Sequence, residues 1–315
     1  MYFPVLHGAQ NEMLALEEVA LEIRTSGAII PVIIPLGSDS DTKRLQRVLR
    51  RYNRSAQPFC LVVNPRCCAG VASVEKIDEH LIHGILADNQ AFFPMFVVDR
   101  STTAPQIRAF QDRFTRNDIG FFHQDEADES SEAFQELVGS RARYHLFAQP
   151  GTGRGYETSF PARTRVRITD PFTKRKNADY PPDEAFSDAH LTFRDEGLAG
   201  FGDYMTIGKD LTKGFAPYAV ALHMTYITPT GRLRLRHFVS DRTETIEDTA
   251  GKYQEAVRKL VDWADANPSL VTVSESVEEF RASAVAGTYP GLGIPKRLSM
   301  RRHLQLMGML LPPAS

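Results

Sequence analysis

Short apolar runs alternate with longer amphipathic segments along the first half of the chain. The apolar runs are rich in branched and aromatic side chains, and they predict strands at residues 2–6, 29–34, 59–63, 92–98, 119–122 and 144–148. The segments between them predict helices at residues 11–24, 40–52, 72–86, 104–114 and 130–138. In the first helix Met13, Leu16 and Val19 fall on one stripe, which is typical of a helix that packs on a core.

The alternation of strand and helix, at a spacing of about thirty residues, indicates parallel βα units. The strands are apolar throughout, as expected when both faces of a parallel sheet are covered. Two architectures fit this pattern: a (β/α) barrel with an elaborated second half, or a doubly wound sheet with an α+β appendage. Barrel closure is favoured because a strand stands at the start and further units follow residue 150. We therefore predict a TIM-barrel-like α/β fold.

The pattern changes after residue 150. A glycine-rich loop at 151–155 and a strand at 163–169 lead into a long irregular stretch that runs to about residue 214. Two strands at 218–227 and 232–239 predict a β-hairpin, and further elements are predicted at 249–264, 271–273, 277–285 and 298–311. No low-complexity linker divides the chain. We predict one domain over 1–315, with regular βα units in 1–150 and the irregular insertion, hairpin and C-terminal helices in 151–315.

The amino-acid composition and the net charge exclude several classes of protein. Hydrophobic residues make up 42% and charged residues 24% of the 315, so the chain reads as globular. The formal charge of −2 excludes a uniformly basic nucleic-acid binder but allows a local basic patch. No apolar run approaches the ~18 residues of a membrane span, and acidic residues come too early for a secretory signal. Three cysteines, including Cys67 and Cys68, give no disulfide framework, so we expect a cytoplasmic protein without a membrane partner.

Polar side chains that follow the apolar strands are the candidates for chemistry, because the carboxyl ends of barrel strands form one mouth. Four of them suit acid–base catalysis: Asp99, His123, Asp170 and Asp203. Five suit substrate binding: Asn64, Arg66, Arg100, Gln149 and Arg154. His7, Gln124, Asp125 and Glu126 occupy comparable positions. Any transition from strand to loop also produces polar residues, so a structural interpretation stays open. No metal-binding motif occurs, and no cofactor is assigned.

Two basic segments are candidates for binding phosphate groups. Lys174, Arg175 and Lys176 form a short run after the predicted strand at 163–169, where a solvated loop is the alternative. In the hairpin, arginines alternate with leucines, and the C-terminal helix adds four basic residues: Lys296, Arg297, Arg301 and Arg302. Within the resulting strip, the residues predicted to bind nucleic acid or a partner protein are Arg232, Arg234, Arg236, Arg301 and Arg302. Ion pairing with the acidic stretch at 125–136 of the same chain is the alternative. The hairpin residues His223 and His237 are interpreted as packing residues.

Several segments carry a resemblance to a known family. They read MYFPVLHGAQNEMLALEE at 1–18, IIPVIIP at 29–35, GFGDYMTIGKD at 200–210, APYAVALHMTY at 216–226 and RHFVSD at 236–241. The chain resembles the uncharacterised bacterial and phage beta-protein family, in particular a subgroup from genomic islands. This resemblance implies a barrel-like fold, a mobile-element or antiphage-defence setting, and a neighbouring nuclease-like protein as partner. His7 departs from a basic residue common in the family, and Thr288 from a serine.

Two functions are therefore expected from the sequence. The first is a component of a mobile-element or antiphage-defence system that binds a nucleic acid, a nucleotide or a partner protein. The alternative is a TIM-barrel hydrolase that acts on a phosphorylated or nucleotide-like substrate. The sequence leaves open whether the protein is an enzyme.

Overall fold

A computed structural model of the chain describes residues 1–66, 70–128, 131–211, 217–271 and 274–311. Eight parallel strands in it pair side by side in the order in which the chain forms them. They are β1 (Val5–His7), β2 (Val32–Ile34), β3 (Phe59–Val62), β4 (Phe92–Val98), β5 (Ile119–His123), β6 (Ala142–Ala148), β7 (Arg165–Thr169) and β9 (Gly200–Asp203). β8 (Asp183–Ser187) belongs to a second sheet.

The residues that precede β1 close the large sheet. Tyr2 forms parallel bridges with Ile29 on one side and with Phe201 of β9 on the other. The backbone N–H of Phe3 donates to the carbonyl oxygen of Phe201 at 2.9 Å, and Phe201 donates to the carbonyl of Met1 at 3.0 Å. The sheet therefore returns on itself as a barrel. This confirms the predicted TIM-barrel-like fold, and the doubly wound alternative is wrong.

Helices cover the outside of the barrel and the second sheet. They are α1 (Gln10–Glu18), α2 (Ala20–Ser26), α3 (Asp39–Arg54), α4 (Val74–Ile77), α5 (Ala104–Arg113), α6 (Glu132–Gly139), α7 (Arg154–Thr158), α8 (Ala189–Thr192), α9 (Thr249–Ala266), α10 (Glu275–Ala286) and α11 (Gly293–Leu310). The helix predicted at 72–86 is shorter, because α4 passes into a π-helical turn at Asp78–Ile82. The predicted positions Cys67, Cys68 and Ser130 and the end of the element at 271–273 lie outside the described residues.

Side chains on the barrel strands alternate between two cores. The inner core is filled by apolar residues such as Val5, Val97 and Phe122, so the barrel interior is packed. The outer core lies between the strands and the helices and includes Leu6 and Phe121. Because successive residues of a strand point to opposite faces, the residue at each strand end faces either the mouth or the helices. This alternation decides which of the predicted site residues meet.

The second sheet is antiparallel and has the strand order β10-β11-β8, with β10 at Ala221–Ile227 and β11 at Leu233–Val239. The predicted hairpin is therefore confirmed, and its apolar face packs against α9, α10 and α11 in a third core. β8 and β9 lie in the stretch predicted to be irregular. β9 contains two glycines, which strand propensity disfavours. We call the pairing of residues 1–3 with β9, which closes the barrel, the seam. At Gly202 a Cβ atom would lie 2.1 Å from the carbonyl oxygen of Phe3, so the seam has no room for a side chain.

Candidate functional site

Five polar side chains meet at the mouth of the barrel, and we call them the mouth cluster: His7, Glu12, Asp170, Lys174 and Lys296. His7 ends β1, Glu12 stands in the first turn of α1, and Asp170 follows β7. Lys296 lies in the first turn of α11. The charge of Lys174 acts on each of His7, Glu12 and Asp170, and the charge of Lys296 acts on Glu12 and Lys174. Residues far apart in sequence thus share one electrostatic site.

His7 is held as a neutral imidazole on the inward face of the barrel. The residue is 1% exposed, and its ring stacks on Tyr204 with 6.3 Å between the ring centroids. Burial, and then the positive charge of Lys174, lower the pKa of His7 to about 4. Its Nδ1 atom is buried and has no hydrogen-bond partner within the described part of the chain. This nitrogen is therefore open to a polar group at the mouth.

Glu12 is a buried carboxyl group beside His7. The residue is 4% exposed, and burial raises its pKa well above the usual range, although a backbone hydrogen bond with His7 opposes that shift. The nearby Lys174 and Lys296 also oppose the shift without reversing it. Its Oε2 atom has no partner among the residues that the structure describes. Burial therefore favours the protonated form, which can donate a proton.

Asp170 is anchored on one side and open on the other. Its Oδ2 atom accepts a hydrogen bond from the backbone N–H of Lys209 at 3.0 Å, while its buried Oδ1 atom has no described partner. Burial raises its pKa. The loop reaches Asp170 through Gly208, whose φ of +70° favours glycine and whose Cβ would stand 3.3 Å from Cε of Lys174. A larger residue at 208 would crowd the mouth cluster.

Two of the predicted substrate-binding residues stabilise loops instead of facing a ligand. Asn64 lies next to Val97, donating to its carbonyl oxygen at 3.2 Å and accepting from its N–H at 2.7 Å. Gln149 donates from Nε2 to the carbonyl oxygen of Thr152 at 3.1 Å. Because these amide groups are occupied by backbone, the structure gives them a role in shaping the rim.

The arginines that follow β3 and β4, Arg66 and Arg100, form ion pairs with aspartates. Arg66 pairs with Asp99 at 3.1 Å, and Arg100 pairs with Asp125 at 2.8 Å. Burial alone would raise the pKa of Asp99, but hydrogen bonds from Ser101 and Arg66 outweigh it and lower that pKa. Such a carboxylate is a weak base near neutral pH. Arg154, the remaining predicted binding residue, pairs with Glu196 at 2.8 Å.

His123 lies behind the barrel wall, away from the mouth. It is 0% exposed and stacks on Phe147 with 4.6 Å between ring centroids. Its Nδ1 atom hydrogen-bonds to the hydroxyl of Tyr156 at 2.9 Å, and its Nε2 atom to Nδ1 of His145 at 3.0 Å. Burial lowers its pKa well below the usual range. The strand alternation turns His123 outwards, so the structure does not bring it to Asp99 or Asp170.

Asp203 also faces outwards, at the seam where the barrel closes. Its Oδ1 atom accepts hydrogen bonds from the hydroxyl of Tyr2 at 2.7 Å and from the N–H of Met205 at 2.8 Å, and it lies 3.6 Å from Nε2 of His303. The residue is 2% exposed. Of the four predicted catalytic residues, Asp170 alone belongs to the mouth cluster, while Asp99 lies on the rim.

The three hairpin arginines of the predicted basic strip lie close to aspartates of the same chain. Arg234 forms an ion pair with Asp183, and Arg236 lies 3.9 Å from the same carboxylate. Arg232 is the most exposed of the three and lies 3.8 Å from Asp188. The guanidinium groups therefore already have anionic partners on neighbouring elements. The pairing is within the chain, as in the alternative interpretation of the sequence, but the partners are Asp183 and Asp188 and not the acidic stretch at 125–136.

The two arginines of α11 are buried. Arg301 is 5% exposed and forms ion pairs with Glu18 at 3.7 Å, with Glu279 at 2.6 Å and with Glu275. Arg302 is 1% exposed, and burial lowers its pKa to about 10. Neither guanidinium reaches the surface as a free positive group, so the structure does not form one continuous strip from the hairpin to α11.

Only part of the mouth cluster could be predicted from the sequence. Asp170 was among the catalytic candidates, and His7 and Lys174 were noted at strand ends or in a basic loop. Glu12 is not among the predicted site residues because it stands on a helix, whereas Lys296 is predicted only as part of the basic strip and not at the mouth. A carboxylate at a buried position in the first turn after a barrel strand is the signal that could have identified Glu12. The basic segment 296–303 marks Lys296 as a candidate for phosphate binding, but its position at the mouth could not be predicted, because α11 reaches the mouth only through the tertiary fold.

Comparisons with known proteins do not assign the chain to a family. No protein-family model matches the chain, and no curated protein matches it. In the described ranges, no group of three or more histidine, cysteine, aspartate or glutamate side chains is arranged to hold a metal ion. No helix of the described residues has the length and apolar character needed to cross a membrane. The site must therefore be interpreted from its own chemistry.

Proposed function

We propose that this chain is a barrel enzyme, a hydrolase that binds a phosphorylated or nucleotide-like small molecule at the mouth cluster. One observation carries the proposal. Three buried polar atoms have no described partner, and the charge of Lys174 acts on the residue of each: Nδ1 of His7, Oε2 of Glu12 and Oδ1 of Asp170. Leaving a buried polar group unpaired costs about 1–3 kcal/mol, so a converging set is expected where a polar ligand supplies the partners.

The charges at the mouth favour an anionic ligand. His7 and Glu12 are neutral in their environments, so the charged members of the cluster are Lys174, Lys296 and Asp170. Lys296 is exposed and makes no ion pair within the part of the chain that the structure describes. It also stands at the start of an 18-residue helix, where the helix dipole favours negative charge. Two further charges act on the cluster: that of Asp210 on His7, Asp170 and Lys174, and that of Lys209 on Asp170. Three lysines against two aspartates suit a phosphate group better than a cation.

The charged and neutral side chains of the mouth cluster suit different parts of a hydrolysis reaction. Lys174 and Lys296 are placed to hold phosphate oxygens as charge develops on them. Glu12 is placed to give its proton to the oxygen of the leaving group, and His7 to hydrogen-bond the substrate through Nδ1. Hydrolysis needs these two functions together with a base for the attacking water.

The test removes one cation from the mouth and one from its neighbourhood. Lys174→Ala deletes the central charge, whereas Lys176→Ala deletes a charge two residues away that makes no described ion pair. Binding of inorganic phosphate and pyrophosphate is measured by calorimetry, and phosphate release is measured on a panel of phosphorylated sugars and nucleotides. We expect Lys174→Ala to weaken binding about 10- to 100-fold, since hydrogen bonds to charged groups contribute about 1.5–3 kcal/mol.

Lys176→Ala is expected to bind phosphate as the unmodified protein does. Equal loss in both variants would point to a general charge effect and count against the site. The proposal would be refuted if the unmodified protein bound neither anion and released phosphate from no compound of the panel.

The biological setting is a separate proposal that rests on the sequence segments alone. We propose a cytoplasmic enzyme in a mobile-element or antiphage-defence system, with a nucleic acid or a neighbouring nuclease-like protein as partner. Binding of a nucleic-acid duplex in increasing salt tests the first partner, because phosphate contacts weaken steeply as salt rises. Binding that is unchanged when Arg232, Arg234 and Arg236 become serine would remove the hairpin from that role.

A further inference from the structure

Two histidines and a glutamate form a hydrogen-bonded chain across the second sheet. His223 of β10 stands directly opposite His237 of β11, and their Nδ1 atoms lie 2.7 Å apart. Nε2 of His237 lies 3.0 Å from Oε1 of Glu184 in β8. Arg175 holds the same carboxylate, with its NH1 atom 2.9 Å from Oε1 and its NH2 atom 2.9 Å from Oε2. The three side chains therefore have fixed relative positions.

Aromatic rings pack around the two imidazoles. Tyr180 stacks on His237 with centroids 4.7 Å apart and meets the His223 ring edge-on at the same distance. Phe172 meets His223 edge-on at 5.0 Å. This apolar packing lowers the pKa of both histidines, that of His223 to about 3. At neutral pH both rings are neutral.

The partners decide which nitrogen of each ring carries the proton. The hydrogen bonds from Arg175 and His237 hold the pKa of Glu184 low although burial opposes them, so its carboxylate only accepts. His237 must then donate from Nε2, which leaves a lone pair on its Nδ1. That lone pair accepts from Nδ1–H of His223. The remaining nitrogen, Nε2 of His223, is unprotonated, and it has no hydrogen-bond partner within the described residues.

His223 lies next to the mouth cluster, with the ring of Phe172 between them. Phe172 meets His223 at 5.0 Å, and its Cδ1 atom, like Oδ1 of Asp170, lies 3.5 Å from the Cβ position at Gly208. The backbone carbonyl of His223 accepts a hydrogen bond from Ser299 of α11, whose hydroxyl also lies 2.9 Å from Oγ1 of Thr206. Thr206 follows β9 at the mouth. The charge of Lys296 acts both on His223 and on Glu12. The residue as a whole is partly exposed, although its ring is largely enclosed by Phe172 and Tyr180.

We propose that Glu184, His237 and His223 form a proton relay in which Nε2 of His223 takes a proton from the water that attacks the substrate. The inference rests on the proposed function, because it supplies the base that hydrolysis at the mouth cluster needs. His223 is then a catalytic residue, and His237 and Glu184 are positioning residues. The same geometry recurs wherever a carboxylate orients a histidine base.

The step balances as follows in atoms and charge. The water gives one proton to Nε2 of His223, and its oxygen forms the new bond to phosphorus. The bond from phosphorus to the leaving oxygen breaks, and Glu12 protonates that oxygen. The proton on Nδ1 of His223 passes to Nδ1 of His237, so the positive charge ends beside Glu184. To complete the cycle, the proton on Nδ1 of His237 returns to Nδ1 of His223, Nε2 of His223 releases its proton to solvent, and Glu12 takes up one proton from solvent.

The relay explains how so weak a base can act. Burial and the positive charges of His237 and Lys296 oppose a charged His223. Moving the charge to His237 places it next to the Glu184 carboxylate, with Asp183 also favouring it and Arg175 opposing it. Tyr180 is the other titratable group that faces both rings, and its own pKa is raised by burial.

Nitrogen-15 NMR of the imidazoles tests the relay without any substrate. In the intact protein at pH 7 we expect His223 to be protonated on Nδ1 and His237 on Nε2. Glu184→Gln should lower the pH at which the pair takes up its proton, because the negative charge beside His237 is lost. A neutral His223 that carries its proton on Nε2, or a titration unchanged by Glu184→Gln, would overturn the relay.

Kinetics separates the relay from the function on which it rests. With any compound hydrolysed in the phosphate-release panel, we expect His223→Gln to lower kcat about 10²- to 10⁴-fold with a much smaller change in KM. His237→Gln should shift the pH profile of kcat. His83→Gln, an exposed histidine far from the mouth, is the control. Full activity of His223→Gln beside an inactive Lys174→Ala would refute the relay and keep the mouth cluster.

Discussion

At the scale of single residues, burial governs the ionisable groups of this protein. His7, His123, His145 and His223 all have a lowered pKa because their rings are removed from water. Glu12 and Asp170 have a raised pKa for the same reason. The residue types were visible in the sequence, but their burial was not, so the acid–base character of the site could not be predicted without the fold.

The buried histidine pair behind the barrel wall predicts sensitivity to acid. The pKa of His145 is about 3 in the folded chain and about 6.5 when unfolded, so below pH 6.5 the unfolded state takes up a proton that the folded state does not. Stability from this group is complete above pH 6.5 and falls as the pH drops towards 3. Urea unfolding of His145→Phe between pH 7 and 4 should show a weaker loss than the unmodified protein.

His83→Gln is the matched control for that measurement, because His83 is exposed and its removal leaves the buried pair intact. If His145→Phe and His83→Gln lose stability with the same slope as the unmodified protein, the buried pair is not the cause of the acid sensitivity.

Arg302 is the second residue whose burial has a measurable effect. It is 1% exposed, and its Nε, NH1 and NH2 atoms have no hydrogen-bond partner within the described chain. Replacing a buried charge by an apolar side chain of similar volume is often neutral or stabilising by about 1–4 kcal/mol. We expect Arg302→Met to keep or raise the free energy of unfolding. Arg301→Met removes the ion pairs with Glu275 and Glu279 and leaves Glu279 to Arg297 alone, so it should lower the free energy of unfolding in the same thermal denaturation experiment.

At the scale of elements, the apolar strands were predictable and the polar ones were not. The run at 92–98 matches β4 in both bounds, because a strand covered on both faces has a continuous apolar sequence. β8 reads DEAFS and β9 reads GFGD, and neither has the branched residues that mark a strand. Pairing with already formed neighbours, rather than local propensity, makes them strands. The eighth strand of the barrel was therefore missed although the barrel itself was predicted.

The seam between β9 and the residues before β1 predicts a strong effect of a single methyl group. In Gly202→Ala the new Cβ would meet the carbonyl oxygen of Phe3 at 2.1 Å, so the two strands must separate. Overpacking of this kind costs about 1–3 kcal/mol, and more where backbone has to move. Chemical denaturation should show this loss. Gly155→Ala, on α7 with nothing within 4 Å of the added atom, should leave stability unchanged or slightly raised.

At the scale of the whole molecule, α11 connects the barrel to the second sheet. His303 hydrogen-bonds to the Tyr2 hydroxyl at the seam at 2.9 Å and to Oγ1 of Thr225 in β10 at 3.1 Å. The neighbouring Ser299 makes a similar link between Thr206 and His223. The mouth cluster and the histidine relay depend on this connection, because one end of α11 carries Lys296. Sequence patterns within one element cannot reveal such a convergence.

A single domain over 1–315 remains a prediction, and the only tryptophan makes it testable. Trp263 packs on Tyr226 and Phe238 of the second sheet, so its fluorescence reports on that part, whereas circular dichroism reports on all helices. We expect the two signals to change at the same urea concentration, since one cooperative unit unfolds as a whole. Two separate transitions would show independent units. His303→Ala should lower the common midpoint.

The seam has a consequence for how the chain reaches its native state. Tyr2 and Asp203 are 201 residues apart in sequence, yet their side chains are hydrogen-bonded across the closing strands. A contact between such distant segments forms late, because the entropy lost in bringing them together must be met before the contact is made. Until β9 has been synthesised, the other seven strands can assemble only as an open curved sheet with two unprotected edges. During that interval the nascent chain is most exposed to aggregation.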